Sequence, residues 1–241
     1  MERKIITTKD GSHSIAIPDM NVTYHSVHGA LQESVHVYIE AGLYGSGRFD
    51  KCESLPLKSA RPVVRPPAAA SYLRILEAGL GTGLNALLTL IEADKSGQAV
   101  HYTAIELFPL RKEEIQPLNY CGQLNSSHYQ IIFEKIHQCE WENEIALTPF
   151  FTLYKTNTNL IDFSTRQTFD IIYFDAFAPA AQPELWTKEM FEKIYIMMSV
   201  QATLVTYCCK GEVRRAMQAA GFTIEKLPGP AGKREMLRGR K

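Results

Sequence analysis

The nine residues Glu77-Ala78-Gly79-Leu80-Gly81-Thr82-Gly83-Leu84-Asn85 are the stretch of sequence that decides the fold. They follow the apolar run 73–76 and lead into a predicted helix. Three glycines in five positions allow a tight turn and let backbone N–H groups approach a ligand closely. In open parallel sheets, ligands bind beyond the carboxyl ends of the strands, near the point where the strand order reverses. The stretch therefore predicts a strand, a ligand-binding loop and a helix at that point of a doubly wound sheet.

Strands alternate with helices around this stretch. Predicted strands are the apolar runs at 72–77, 99–105, 151–155, 169–174 and 203–207. Predicted helices lie at 83–93, 183–198 and 212–220. Such alternation predicts an α/β fold with a parallel sheet covered by helices on both faces. Near the C-terminus, a hairpin of 223–227 and 233–238 adds an antiparallel edge to that sheet.

The first sixty residues are predicted to form a β-rich extension. Asp10-Gly11 lies between two β-type runs, 4–8 and 14–17, which indicates a hairpin with a two-residue turn. Four prolines between positions 56 and 67, interspersed with Lys58, Arg61 and Arg65, are typical of a linker. We therefore predict a β-rich extension at 1–60 and an α/β domain at 68–241.

The spacing of the glycines discriminates between two classes of nucleotide cofactor. The dinucleotide fingerprint requires glycine or alanine at position 84, where this chain has leucine. The pattern resembles instead the E-x-G-x-G-x-G motif of class I methyltransferases, which bind S-adenosyl-L-methionine and have the strand order 3-2-1-4-5-7-6. A carboxylate in this loop would repel a pyrophosphate but attract the cofactor's ammonium or sulfonium. Cofactor contacts are expected at Glu77, Gly79, Gly81, Gly83 and Asn85.

A second acidic residue supports the same cofactor. Glu106 ends the second predicted strand, 23 residues after Gly83. A carboxylate at that strand tip can accept hydrogen bonds from both ribose hydroxyls. It could also merely complement the dipole of a following helix.

Asp175 is the predicted catalytic residue. It follows the apolar strand at 169–174, so its carboxylate would lie beside the methyl donor. An aliphatic amine has a pKa of about 10 and is mostly protonated at neutral pH, whereas methyl transfer needs its free lone pair. Asp175 could hold the ammonium and take its proton, and Phe177 could stack on a flipped base. The alternative is that Asp175 is only a cofactor or structural contact.

Three long motifs resemble a known family. They are 175–187 (DAFAPAAQPELWT), 213–223 (VRRAMQAAGFT) and 233–239 (KREMLRG), and the segment 23–34 (TYHSVHGALQES) is similar as well. Together they resemble the methyltransferase part of the MnmC family, in the stand-alone form sometimes called MnmD. The resemblance implies methylation of the exocyclic amine of 5-aminomethyl-(2-thio)uridine at position 34 of tRNA. It further implies substrate contacts at Tyr24, Glu33, Phe177, Arg214, Arg215, Lys233 and Arg234.

The sequence departs from the family's pattern at two places. After the third strand the family has Gly-Asp, with the aspartate near the adenine, whereas this chain has Thr156-Asn157. The carbonyl of Asn157 could still accept a hydrogen bond from the adenine amine. The small residue and Gly-Phe before Val-Arg-Arg become Lys210-Gly211-Glu212. Because the sequence ends at residue 241, no fused flavin-dependent oxidase domain is expected in this chain.

The charge distribution is compatible with a tRNA partner. The formal net charge is zero, but residues 210–241 hold nine Lys or Arg against three Glu, a net charge of +6 in 32 residues. Such a stretch could contact the phosphates of the tRNA around its anticodon loop. The alternative is a solvated basic tail.

Two other functions are compatible with the same fold. A polyamine aminopropyltransferase similar to spermidine synthase would use a decarboxylated cofactor and a comparable aspartate, but the basic C-terminal stretch is poorly suited to a polyamine. A non-enzymatic RNA-binding relative would not need the acidic residues in the predicted pocket. The five cysteines form no C-x-x-C pair, so no metal is expected. With no long apolar run and no secretory signal, we expect no membrane association and a cytoplasmic location.

Overall fold

The computed structural model describes residues 2–51 and 72–241. Their strands form a small antiparallel sheet, β1 to β3, and an eight-stranded sheet, β4 to β11. The strands are β1 (Lys4–Thr7), β2 (His13–Ile17), β3 (Val22–Thr23), β4 (Leu73–Ala78), β5 (Val100–Ile105), β6 (Glu144–Thr148), β7 (Phe151–Thr156), β8 (Phe169–Phe174), β9 (Met198–Thr206), β10 (Thr223–Pro228) and β11 (Glu235–Arg240). The α-helices are α1 (Ala30–Ser34), α2 (Leu84–Ser96), α3 (Lys112–Ile115), α4 (Tyr120–Gln123), α5 (Gln130–Gln138), α6 (Lys188–Met197) and α7 (Gly211–Ala219).

The large sheet has the strand order β10-β11-β9-β8-β4-β5-β7-β6. Strands β7, β5, β4, β8 and β9 are parallel, and β11 and β10 close one edge in antiparallel orientation. Apart from the extra edge strand β6, this is the predicted order 3-2-1-4-5-7-6, so the predicted fold is confirmed. The strand order reverses between β4 and β8, which places a ligand crevice at the ends of these strands.

The central strands are buried because helices cover both faces of the sheet. In β4 and β8, five of the six residues of each strand are buried. One face packs against α2, α5 and the N-terminal segment, and the other against α6 and α7. Within the described residues, no helix is both long and apolar enough to cross a membrane.

The N-terminal segment contains the predicted antiparallel sheet, but its turn differs from the prediction. Thr7 pairs with His13, so five residues rather than two connect β1 to β2. The physical reason is the side chain of Asp10, which accepts hydrogen bonds from Thr8 and from the backbone and hydroxyl of Ser12. These bonds stabilise a wider loop than a two-residue turn.

The β-rich description does not extend beyond β3. Helix α1 continues into a π-helix at Val35–Leu43 and a 3-10 turn at Tyr44–Ser46, so residues 30–46 are helical. This helical segment packs against α2, β8, β9 and β11. The predicted linker at 56–67 lies outside the described residues, and the predicted boundary between residues 60 and 68 stays a prediction.

Most predicted elements differ from the observed ones by at most three residues at an end, and two differ more. The helix predicted at 183–198 is divided at Thr187, whose extended backbone and side-chain bond to the Met190 amide begin α6 as an N-cap. Strand β9 begins at Met198, five residues earlier than predicted, and Gln201, with a positive φ of 60°, lies where the register of β9 against β8 shifts.

Candidate active site

A cavity of about 280 Å³ lies where the parallel strands end. Its floor is formed by the ends of β4, β5 and β8 and by the loops that follow them. Residues of the N-terminal segment, together with Phe177, form its roof. The lining residues include Arg3, Ile17, Met20, Tyr24, His25, Gly79, Gly81, Thr82, Glu106, Leu107, Phe108, Thr158, Asn159, Asp175, Phe177, Gln182 and Glu184.

The glycine loop has a backbone that favours glycine. Gly79, Gly81 and Gly83 have φ angles of 97°, 50° and 72°. These angles lie in the left-handed region, which other residues adopt at a cost. A Cβ atom on Gly81 would lie 2.9 Å from Cδ1 of Tyr24, on the cavity wall. The loop therefore brings its backbone against the cavity where a side chain would not fit.

Glu106 occupies the predicted position at the tip of β5. Its Oε2 accepts a hydrogen bond from the Gly81 amide at 2.9 Å, and its Oε1 accepts one from the Phe108 amide at 2.8 Å. Each carboxylate oxygen has a second lone pair for another donor. Glu106 can therefore accept hydrogen bonds from two neighbouring hydroxyls of a ligand without losing its own support.

A single amide joins two carboxylates below the glycine loop. Asn85 Nδ2 donates to Glu77 Oε1 at 2.9 Å and to Asp175 Oδ2 at 2.8 Å. Glu77 and Asn85 are almost completely buried, whereas Asp175 is partly exposed to the cavity. Asn85 Oδ1 is buried, and no group among the described residues forms a hydrogen bond with it. The three predicted site residues therefore form one connected cluster.

The cluster is strongly perturbed electrostatically. The pKa of Asp175 is raised to about 7, mainly by burial; hydrogen bonds from Tyr38 and Asn85 oppose the rise, and the charge of the nearby Glu33 adds to it. Burial, together with the charge of Asp175, raises the pKa of Glu77 well above its usual range. An aspartate with a pKa near neutrality is a better proton acceptor than an ordinary one and is still partly ionised at pH 7.

Two tyrosines next to Asp175 were missed by sequence reasoning. Tyr38, in the helical segment 30–46, donates a hydrogen bond of 2.5 Å to Asp175 Oδ1. Tyr207, at the end of β9, donates to the carbonyl of Ala176 at 2.9 Å. Neither tyrosine belongs to a motif with a fixed spacing to Asp175, so the sequence contained no signal for either contact.

The roof of the cavity is aromatic and partly basic. The rings of Tyr24 and Phe177 meet edge to face with centroids 5.1 Å apart. The Arg3 guanidinium lies 5.9 Å from the Tyr24 ring centroid and donates to the carbonyl of Phe108 at 2.7 Å. The structure thus brings the predicted substrate residues Tyr24 and Phe177 together, and it adds Arg3, which the sequence did not indicate.

His25 contacts the glycine loop. Its Nε2 lies 2.6 Å from the hydroxyl of Thr82. Burial lowers the pKa of His25 to about 4, so the ring is neutral near pH 7. The described residues include no cluster of three or more His, Cys, Asp or Glu that could hold a metal ion. His25 therefore supports the loop as a neutral hydrogen-bonding group.

Asn157 does not line the cavity. Its Nδ2 donates to the carbonyls of Glu106 and Leu107 at 2.7 and 3.1 Å, which ties the end of β7 to the loop after β5. Thr158 and Asn159 line the cavity wall at this strand tip instead. The predicted contact of Asn157 with adenine stays a prediction.

The predicted substrate residues Glu33 and Lys233 form a largely buried ion pair. Lys233, in the turn between β10 and β11, contacts Glu33 Oε1, and its Nζ lies 3.9 Å from the Tyr207 ring centroid. Glu33 Oε2 also accepts a hydrogen bond from the Ser26 amide at 2.7 Å. The ion pair connects the C-terminal hairpin to the N-terminal segment. Within the protein, the charge of Lys233 is therefore balanced by that of Glu33.

Of the eight other cations of the C-terminal stretch, Lys210 lies 3.8 Å from Glu212 at the start of α7, and the remaining seven divide into two groups. Arg238 and Arg240 pair with Glu225, Lys226 pairs with Glu235, and the Lys241 amine donates to main-chain carbonyls. These cations stabilise the edge of the sheet. Arg215 and Arg234 are exposed and Arg214 is half-buried, and they are the predicted phosphate contacts that remain accessible.

A family model described as S-adenosyl-L-methionine-dependent methyltransferase matches residues 117–241. The match covers just over half of the chain. Its residues include Asp175, Phe177 and the basic C-terminal stretch, whereas the glycine loop precedes it.

Curated relatives align with almost the whole chain. The tRNA 5-methylaminomethyl-2-thiouridine biosynthesis bifunctional protein MnmC of Azoarcus sp. is 29% identical over 245 residues, which cover 96% of this chain and 34% of that protein. The protein of the same name from Aeromonas hydrophila is 31% identical over 177 residues, covering 68% of this chain and 27% of that protein. The chain therefore spans about a third or less of the length of these relatives.

A solved structure has the same fold along the chain. The crystal structure of MNMC2 from Aquifex aeolicus superposes with a TM-score of 0.71 and covers 99% of this chain and 69% of that chain. The sequence identity is 20%, so this likeness concerns the fold alone. It includes the N-terminal segment that roofs the cavity.

Proposed function

The chain belongs to the S-adenosyl-L-methionine-dependent methyltransferases, and from this membership we propose that it methylates an amine on a tRNA wobble uridine. The proposed reaction converts 5-aminomethyl-(2-thio)uridine at position 34 to 5-methylaminomethyl-(2-thio)uridine. The single observation that carries the proposal is Asp175 at the cavity wall, held by two hydrogen bonds and with its pKa raised to about 7. The names of the curated relatives give the same base.

The residues of the cavity fit the cofactor. The glycine loop leaves room where a Cβ would collide with the cavity wall, which suits a ligand that passes against the backbone. Glu106 can accept from two ribose hydroxyls, and the ionised form of Asp175 supplies negative charge for a cationic ligand. When bound, S-adenosyl-L-methionine supplies an electrophilic methyl group on a positively charged sulfur. The donor and acceptor groups present therefore match the charges and hydroxyls of this cofactor.

Asp175 performs the proton chemistry of the proposed reaction. Because the amine is mostly protonated at neutral pH, one proton must leave before the nitrogen lone pair can attack the methyl carbon. The ionised Asp175 carboxylate accepts this proton, and its charge holds the amine at the wall of the cavity. The bound cofactor would supply its methyl group to this lone pair, and the electron pair of the carbon–sulfur bond would stay on its sulfur. The product forms as a protonated secondary amine, and Asp175 releases the proton it accepted to solvent.

The aromatic roof suits a base displaced from its stack. Sequence-specific proteins bind single-stranded RNA by stacking splayed bases on aromatic rings. Phe177 follows Asp175 by two residues, and its backbone is fixed by bonds to Gln182 and Trp186. Phe177 and Tyr24 bind the uracil ring, which brings the aminomethyl group towards Asp175. Arg214, Arg215 and Arg234 bind the phosphates of the anticodon arm.

A methylation assay with defined acceptors tests the proposal. The protein is incubated with labelled S-adenosyl-L-methionine and tRNA bearing 5-aminomethyl-2-thiouridine, or the same tRNA with unmodified uridine at position 34. Label should enter the first tRNA and not the second. Label in both tRNAs would contradict the assigned amine. Consumption of putrescine with decarboxylated cofactor would favour an aminopropyltransferase, and absence of S-adenosyl-L-methionine binding would favour a non-enzymatic protein.

A further inference from the structure

Tyr38 is a fully buried tyrosine whose hydroxyl meets Asp175. The side chain is 1% exposed, and its hydroxyl donates to Asp175 Oδ1 at 2.5 Å. Its ring packs against the buried ring of Tyr173, with centroids 5.3 Å apart. Packing in the core therefore fixes the hydroxyl at the carboxylate of Asp175.

The hydroxyl of Tyr38 acts as a donor. Burial, with the charge of Asp175 as the next contribution, raises the pKa of Tyr38 well above its ordinary value. The phenol therefore keeps its proton, and the carboxylate is the acceptor. A donor of this kind stabilises the ionised form of its partner.

Two elements orient the carboxylate of Asp175. The N-terminal helical segment supplies Tyr38 to Oδ1, and α2 supplies Asn85 to Oδ2. With one bond to each oxygen, the carboxylate has its rotation fixed and retains one lone pair on each oxygen. Removing either donor would free the group to rotate.

We propose that Tyr38 is a positioning residue, whose hydroxyl holds the Asp175 carboxylate oriented and ionised so that it can take the proton of the amine substrate. The inference rests on the proposed function. It gives one residue of the N-terminal segment a role in positioning Asp175, although Tyr38 and Asp175 are 137 residues apart in sequence.

Other ionisable groups also surround Asp175. They come from α1, β4, β5, β9 and the turn between β10 and β11, and they are Glu33, Glu77, Tyr102, Tyr207 and Lys233. The charge of Glu33 raises the pKa of Asp175, and that of Lys233 lowers it. Replacing Tyr38 by phenylalanine leaves these groups in place and removes a direct hydrogen bond, so the expected shift is upward.

An infrared titration of the carboxyl group of Asp175 tests the positioning without tRNA. The Asp175→Asn spectrum identifies the band. In Tyr38→Phe the pKa of Asp175 should rise by about one pH unit, the size expected for one hydrogen bond to a charged group. The matched control is Tyr44→Phe, which removes a phenol from the same N-terminal segment. The hydroxyl of Tyr44 donates to Glu92, outside the cavity. The control should leave the Asp175 band unmoved.

The pH profile of methylation is the second measurement. In Tyr38→Phe, the acidic limb of the kcat profile should move to higher pH by about one unit. At low pH kcat should therefore be about tenfold lower than in the wild type, and at high pH it should be equal. The affinity for S-adenosyl-L-methionine should change little. If Tyr38→Phe does not fold, 3-fluorotyrosine at position 38, a more acidic phenol, should move the limb downward instead.

The two measurements separate the two proposals. The positioning role would be overturned if the wild type methylates the tRNA but folded Tyr38→Phe shows neither a shifted acidic limb nor a shifted Asp175 band. A shifted band in a protein that methylates no aminomethyl-bearing tRNA would overturn the proposed function and leave the contact of Tyr38 with Asp175 intact.

Discussion

Asn85 donates a hydrogen bond of 2.8 Å to Oδ2 of Asp175, and this bond joins the helix after the glycine loop to the tip of β8. The same nitrogen also bonds Glu77, so the cofactor loop and the predicted reacting carboxylate share one amide. A residue at the start of the helix after the glycine loop therefore holds the predicted catalytic carboxylate. Cofactor binding and catalysis can be tested separately, by changing the glycine loop and by changing Asp175.

The first prediction concerns the charge of Asp175. Asp175→Asn keeps the size of the side chain and removes the proton acceptor, so turnover should fall about 10²-fold or more, within the range for general acid–base steps. The affinity for S-adenosyl-L-methionine should change far less. Methylation kinetics and calorimetry measure the two effects. Turnover near that of the wild type would reassign Asp175 to a structural role.

The second prediction concerns stability against pH. The pKa of Asp175 is about 7 in the folded protein and about 3.9 in the unfolded chain. A raised carboxyl pKa means that stability present below about pH 4 is lost as the pH rises through about 7. Asparagine at position 175 does not titrate. The Tm of Asp175→Asn minus the Tm of the wild type should therefore increase between these two pH values and stay constant above them. Thermal unfolding across pH measures this difference, and a constant difference from pH 4 to 8 would contradict the raised pKa.

The third prediction concerns the glycine loop. Gly81→Val places a branched side chain in a left-handed backbone and against Tyr24, so S-adenosyl-L-methionine binding should be lost in calorimetry while the fold remains. Gly47→Val is the matched control, because Gly47 has a φ of 70° and no atom of the described residues lies within 4 Å of its Cβ position. The control should suffer similar backbone strain and keep its affinity. Equal affinities of Gly81→Val and the wild type would move the cofactor elsewhere.

The central strands and the positions of the acidic residues could be predicted from sequence because their causes are local, whereas the strand order was implied by the resemblance to class I methyltransferases. The strand at 169–174 is bounded as predicted, since a run of six mostly buried residues is a strong pattern. A residue that follows a parallel strand lies at the binding edge of the sheet, so Glu106 and Asp175 line the cavity. The turn after β4 could also be predicted, because its three glycines have positive φ angles that other residues adopt only at a cost.

The contacts made by the N-terminal segment could not be predicted, because they join residues far apart in sequence. Lys233 and Glu33 are separated by 200 positions, and neither position has a pattern that indicates the other. The +6 charge of the C-terminal stretch suggested one basic face. The structure instead uses Arg238 and Arg240 to bind Glu225 at the sheet edge. The sequence gives the number of charged residues, but the fold determines which of them form ion pairs within the protein.

The fourth prediction separates free from paired cations. Arg215→Ala combined with Arg234→Ala should weaken tRNA binding and flatten the slope of log K against log salt by about 1.5 to 2, because two fewer phosphates are neutralised. Lys233→Met keeps the stem of the side chain but removes a charge already engaged by Glu33, so its salt slope should match that of the wild type. Filter binding across a salt series measures both. Identical slopes for all three proteins would make the exposed arginines a solvated surface.

The central claim is that this chain places a methyl group on the aminomethyl nitrogen of a tRNA wobble uridine, and nucleoside mass spectrometry tests it most directly. Transfer RNA is isolated from a strain that lacks this gene and from the same strain carrying either the wild-type gene or Asp175→Asn. The account predicts that 5-aminomethyl-(2-thio)uridine accumulates in the deletion strain, that the wild-type gene restores the nucleoside heavier by one CH₂ unit, and that Asp175→Asn does not. Unchanged wobble nucleosides in the deletion strain, or full restoration by Asp175→Asn, would contradict the account.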